Sequence, residues 1–240
     1  CAYCESRLIS VSYGDIEHFR PKTALTKDDG TNCLEYPGYY WLAMVWDNLL
    51  LSCEKCNRTF KGNQFPLTNY NKRKKNQTHK ITEKPLLINP CKEDPSRHLS
   101  FENDGTIVAR TKKGEKSIEV YGLYRSELTD DRREIIKDIL WKISQIKSYI
   151  NTISDYNQMI ESNEFDNSKF IKSRNDNITN MIMAFESIQE YYNIKSKPHR
   201  AMVIHITKDF MNLYSDSINN LIKKKQDTED KRNLTEVQLL

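Results

Sequence analysis

Asn48-Leu49-Leu50-Leu51-Ser52-Cys53-Glu54-Lys55-Cys56-Asn57 is the stretch on which the fold turns. It carries one Cys-x-x-Cys pair, Cys53/Cys56, and a second pair, Cys1/Cys4, opens the chain. Such a pair lets two thiolates reach one ion from a tight turn, and two pairs complete a tetrahedral four-thiolate set. Residues 5–52 separate the pairs, more than a short zinc ribbon allows, so something is folded between them. We expect a structural Zn²⁺ on Cys1, Cys4, Cys53 and Cys56, with no position open for catalysis. The alternative is a redox dithiol or unlinked thiols. Cys33 and Cys91 have no partner at metal spacing and are expected to be ordinary buried thiols.

The rest of the composition sets bounds. Of 240 residues, 38% are hydrophobic and 29% charged, which describes a polar globular protein. The longest apolar run, Trp41 to Trp46, is far short of the roughly 20 residues that cross a bilayer, so no membrane is expected. Only seven Gly and seven Pro argue against a turn-rich β-sandwich and for a helix-dominated chain. Reduced thiols grouped for metal point to the cytoplasm. The chain starts on Cys1 without an initiator Met, which predicts an upstream segment.

Outward from the two pairs, the pattern changes twice. Residues 1–80 hold five of the six cysteines and short apolar runs. Residues 81–128 read as a strand and turn extension: Pro85–Pro90, then His98–Phe101, then an Asn103-Asp104-Gly105 turn into Thr106–Ala109. From 129 to 222 the period is helical. Ile135, Ile136, Ile139, Leu140, Ile143, Ile146, Ile150 and Ile153 form one stripe, with Thr129 as the expected N-cap. Further helices are expected over Ile178–Tyr192 and Arg200–Tyr214, and a charged, disordered tail over 223–240.

Between the pairs lies Gly14-Asp15-Ile16-Glu17-His18-Phe19-Arg20-Pro21. A carboxylate beside a His offers a hard oxygen ligand next to a general base, and Asn57 could add a second oxygen. Two oxygens plus water describe a Mg²⁺ site, which usually also takes substrate phosphate.

These residues resemble the HNH nucleases of the ββα-metal fold, with Glu17-His18, Asn48 and Asn57 at the matching positions. The resemblance implies an α+β protein with a zinc-stapled ββα-metal core and a mainly helical C-terminal region. It implies His18 as the base that activates water, Glu17 and Asn57 as ligands of Mg²⁺ or Mn²⁺, and Asn48 as a brace for the loop that orients His18. Many members have Asp where Glu17 stands, so Asp15 remains a secondary ligand candidate. Cys-Ala-Tyr-Cys-Glu, Ile-Glu-His-Phe-Arg-Pro-Lys, Lys-Gly-Asn-Gln-Phe-Pro-Leu and Gly122-Leu123-Tyr124-Arg125 narrow the resemblance to the PtuB type. These are effectors of Septu and retron-associated anti-phage defence. That branch implies a PtuA-like ABC-type ATPase partner, sometimes with a retron reverse transcriptase and its DNA–RNA product. The chain has no Gly-x-x-x-x-Gly-Lys-Ser/Thr loop, so ATP hydrolysis would fall to the partner.

The charge pattern agrees with a nucleic-acid substrate. Asn57 to Thr82 carries seven basic residues and no acidic one, while the whole chain is only +4. Arg58, Lys61, Lys72, Arg73, Lys74 and Lys75 are the expected nucleic-acid contacts, with Lys61 the foremost phosphate contact. DNA is the expected substrate. The alternatives are an RNA- or tRNA-cleaving nuclease and an inactive zinc-stapled adaptor.

Overall fold

The computed structural model describes residues 1–8, 13–27, 31–77, 82–162 and 166–237; the side chains of 224 and 226–237 are outside the description. Strand β1, Asp15–His18, is followed by two short strands, β2, Leu25–Thr26, and β3, Leu34–Glu35, which pair with each other. Strand β4, Leu49–Ser52, returns antiparallel to β1, with Asp15 opposite Ser52, Glu17 opposite Leu50 and His18 opposite Leu49. Successive strand residues alternate faces. Glu17 and Leu50 therefore share the buried face, while Ile16 and Leu51 form an exposed pair on the other.

Directly after β4 the chain enters a short helical segment, Lys55–Lys61, of π form. Its wide turn closes with Gly62 N donating to Asn57 O at 2.7 Å. Strands β5, Leu99–Phe101, and β6, Ile107–Ala109, form the hairpin expected around Asn103-Asp104-Gly105, where Gly105 takes φ +88°. Pro85–Pro90 does not form a strand; within it a single bridge links Pro85 to Leu67.

Residues 81–128 also hold helix α1, Lys112–Val120, where only strands and turns were expected. Thr111 caps it by accepting from Gly114 N. The signal was a short Thr-x-x-Gly beginning without an apolar stripe, so periodicity did not reveal it. Helix α2, Ser126–Ser162, starts three residues before the expected cap. Thr129 sits inside its first turn, with its backbone N–H donating to Arg125 O.

Helices α3, Ser168–Asn193, and α4, Arg200–Val237, both outrun their expected limits. Helix α4 extends through most of the segment expected as a charged tail, 223–240; of those side chains only 223 and 225 are described.

The chain divides into two compact units. The first joins residues 1–134 with 196–205. Its core contains Tyr3, Phe19, Leu25, Tyr39, Leu50, Phe65, Leu87 and Tyr121. Tyr3 stacks on Tyr121 at 3.9 Å, and Tyr121 donates its hydroxyl to Ile88 O. The second unit, 135–195 with 206–240, buries Ile136, Ile139, Ile143 and Ile146 of the expected stripe, together with Met181, Phe185 and Ile188 of α3. Leu140 is exposed, because the stripe is narrower than its apolar residues. No helix among the described residues is long and apolar enough to cross a membrane.

Candidate functional site

The two Cys-x-x-Cys pairs meet. The sulfurs of Cys1, Cys4, Cys53 and Cys56 all lie within 4.8 Å of one another, with Cys4 and Cys53 at 3.9 Å. A tetrahedral ion with sulfur bonds of about 2.3 Å sets its sulfurs about 3.8 Å apart, so these thiols could hold one metal ion. Crowding splits their protonation. Hydrogen bonds from Cys53 and Cys56 pull the Cys4 thiol well down, and hydrogen bonding to Cys4 and Cys53 pushes Cys56 well up.

Arg125 was not anticipated at this centre. Its guanidinium donates to Cys56 Sγ at 3.5 Å, and also to Gly122 O at 2.8 Å. A cation there offsets thiolate charge. Gly122 makes room for it: a Cβ would meet the Phe60 ring at 2.4 Å, and φ is +61°. The Gly122-Leu123-Tyr124-Arg125 stretch thus has a local reason that linear spacing alone did not reveal. Cys33 and Cys91, expected to be buried, are both exposed. Cys33 lies in irregular chain just before β3 and Cys91 in a turn.

A cleft of about 330 Å³ opens beside the end of β1. Glu17, His18 and Asn57 all line it, together with Lys22 and Arg58. The strand period turns His18 away from Glu17. Its Nε2 lies 3.0 Å from Ala43 O. A carbonyl oxygen only accepts, so Nε2 is the donor of this bond and Nδ1 is the ring nitrogen left outside it.

Asn48 is buried and ties together the two segments around His18. Its Oδ1 accepts from Arg20 N at 2.8 Å, and its Nδ2 donates to Arg20 O at 3.1 Å and Leu42 O at 3.3 Å. Asn57 donates its amide to Asp15 at 3.1 Å, which leaves its carbonyl oxygen as the atom able to face a cation. Asp15 is also gripped by Arg58 through both carboxylate oxygens, at 2.9 and 2.6 Å. Arg58, helped by Asn57, holds the Asp15 carboxyl below its ordinary value.

Lys61 requires a correction. It is fully buried, its ammonium lies 2.5 Å from Glu17 and donates to His18 O at 3.0 Å. It faces the protein and not a phosphate arriving from solvent. Burial lowers its pKa, against the pull of Glu17. Tyr3 also donates to Glu17, at 3.4 Å.

The basic loop is likewise partly spent internally. Arg73 is buried against Glu35 at 3.1 Å and Pro37 O, and Lys75 pairs with Glu35 at 2.6 Å. Lys75 and Tyr70 draw the Glu35 carboxyl down to about 2. Lys72 is exposed and Lys74 half-buried. Lys80, counted in the basic run, lies outside the described residues.

Comparison with known proteins gives three relatives. The chain is 44% identical over 223 residues to Septu protein PtuB of Bacillus mycoides (strain KBAB4), covering 92% of this chain and 74% of that protein. It is 31% identical over 166 residues to Septu protein PtuA of the same strain, covering 64% of this chain and 22% of that protein. It is 32% identical over 124 residues to a Septu protein PtuB of Bacillus thuringiensis, covering 51% of this chain and 36% of that protein. No family model and no solved structure matches the chain.

Proposed function

The chain belongs to the PtuB family of Septu proteins, and from that premise we propose that it is the nuclease effector of an anti-phage defence complex, hydrolysing DNA phosphodiester bonds. Membership in the family supports the role in Septu defence. The reaction is our own reading of the cleft.

The observation that carries it is the hydrogen bond from His18 Nε2 to Ala43 O, in a cleft lined also by Glu17 and Asn57. That bond engages Nε2 and leaves Nδ1 as the nitrogen able to act as the base. His18 takes a proton from water at Nδ1 as the water oxygen bonds to phosphorus in line; the bond from phosphorus to the 3′ oxygen breaks, and that oxygen leaves with a proton from solvent water. Asn48 keeps the backbone on both sides of His18 in register. The antiparallel β1–β4 pair followed by the Lys55–Lys61 helical segment supports an HNH-type ββα core.

The donor set fits a divalent ion such as Mg²⁺. Glu17 and Asn57 offer hard oxygens on the lining of the cleft, and a bound ion would take the place that the Lys61 ammonium holds beside the buried Glu17 carboxylate. When bound, such an ion would neutralise charge building on the scissile phosphate. Zn²⁺ is the reading for the four thiols, since an all-cysteine set leaves no open position and serves structure.

A PtuA-like ATPase is the proposed partner. A Septu protein named PtuA carries, within 22% of its length, a stretch similar to this chain, which supports physical association of the two.

The test is cleavage of double-stranded DNA with Mg²⁺ by the chain alone and with its PtuA-like partner. His18→Ala should lower the rate by about 10²–10⁴-fold and spare folding. Folded, metal-loaded protein silent on both DNA and RNA, with and without the partner, would overturn the nuclease reading.

A further inference from the structure

The cations around the cleft differ in whether a carboxylate meets them, and Arg58 meets two, Asp15 and Glu54. Glu17 is taken by Lys61 and Asp15 by Arg58. Lys22 lines the same cleft, is exposed, and has no acidic partner among the described residues. Lys22 is therefore the cation of the cleft lining that no carboxylate among the described residues meets, four residues after His18.

The backbone beneath Lys22 is held firmly. Tyr39 N donates to Pro21 O at 2.8 Å, and Gly38 N donates to Thr23 O at 2.6 Å. Gly38 is what allows this approach: a Cβ there would lie 2.6 Å from Pro21 O and 2.7 Å from Ala24 N. Pro21 is buried and fixes its own φ. The result is a flexible ammonium on a rigid stem at the mouth of the cleft.

We propose that Lys22 is the phosphate-gripping residue of this site, holding a backbone phosphate of the nucleic acid next to His18. This rests on the nuclease reading above and adds to it the group that meets substrate charge. A lysine already committed to a carboxylate must give up that pair before it grips a phosphate; among the described residues Lys22 has none to give up. Such contacts position the strand and carry no sequence information, so the grip is independent of base identity.

The test uses the full chain in a His18→Ala background, so that a fluorescent DNA duplex is bound and not cut, with anisotropy measured across a salt series. Lys22→Ala should weaken binding and reduce the slope of log affinity against log salt by about 0.9, the loss of one phosphate contact. Lys22→Arg should restore both, and Lys116→Gln, at a lysine paired with Glu119 on α1, should leave the slope unchanged. In the cleaving protein, Lys22→Ala should raise KM for DNA with little change in kcat. Binding and slope unaltered by Lys22→Ala, in protein that still binds DNA, would overturn this proposal and leave the nuclease reading standing. A parent that neither binds nor cuts any nucleic acid overturns both.

Discussion

The Lys61 ammonium lies 2.5 Å from the Glu17 carboxylate, with the lysine side chain fully buried and the glutamate nearly so. This pair joins the helical segment after the second cysteine pair to the strand that carries His18. A buried ion pair adds little net stability over an apolar one, but removing one partner leaves the other charge stranded. The pair therefore acts as a registry pin between Lys55–Lys61 and β1.

Lys61→Met should lower stability by about 3–5 kcal/mol, because Glu17 is left buried and unpaired. Adding Glu17→Gln should recover much of the loss. Urea unfolding of the two single variants and the double variant measures this. If Lys61→Met is neutral, the pair is not a pin.

Asn48→Asp should be worse than its size suggests. Asn48 donates its amide to the Arg20 and Leu42 carbonyls, and a carboxylate there would face two acceptors. Loss of about 1–3 kcal/mol is expected for each group left unsatisfied. Cleavage should fall as well, since the segments around His18 come apart. Thermal unfolding alongside a cleavage assay would separate the two effects.

Removing metal from the four-thiol centre should unfold the first unit, because the two cysteine pairs close a long loop there. Metal analysis should find one ion per chain in native protein and less than one in Cys53→Ser. Arg125→Ala should keep the fold and weaken metal retention by about 10–100-fold, read by competition with a chelator. Unchanged retention would remove Arg125 from the centre.

His199 gives a pH prediction. Burial, with Arg132 adding to it, lowers its pKa to about 4, while Cys4 and Asp131 pull the other way and Arg125 with Arg132. The folded value lies below the unfolded one of about 6.5. Its contribution is therefore full above pH 6.5 and is lost as pH falls towards 4. The loss is about 3 kcal/mol, and His199→Asn should remove that slope, since Asn tolerates the φ of +49° found here. Urea unfolding at pH 7.5 and 4.5 compares the two proteins, and parallel losses would exclude His199.

Much of this was legible in the order of residues. The Cys-x-x-Cys spacing set the four-thiol cluster, because two thiols three apart must share a turn. The isoleucine stripe gave α2, and Asn103-Asp104-Gly105 gave the β5–β6 hairpin. Glu17-His18 and Asn57, far apart in sequence, were expected as metal ligands and a base; the structure puts all three on the lining of one cleft, which spacing alone does not show. Helix α1 escaped because it is short and has no clear apolar period.

By itself, then, the sequence determined the two cysteine pairs and the helical C-terminal half, since each is written in local spacing. Which charges remain free was decided only by tertiary structure. Lys61, Arg73 and Arg58 read alike in a basic run, yet each meets a carboxylate from a distant segment: Glu17, Glu35 and Asp15. Lys22, in a stretch with no basic run, is the cation left over at the cleft. A charge is spent or free according to what folds against it, and that depends on pairings no linear pattern records.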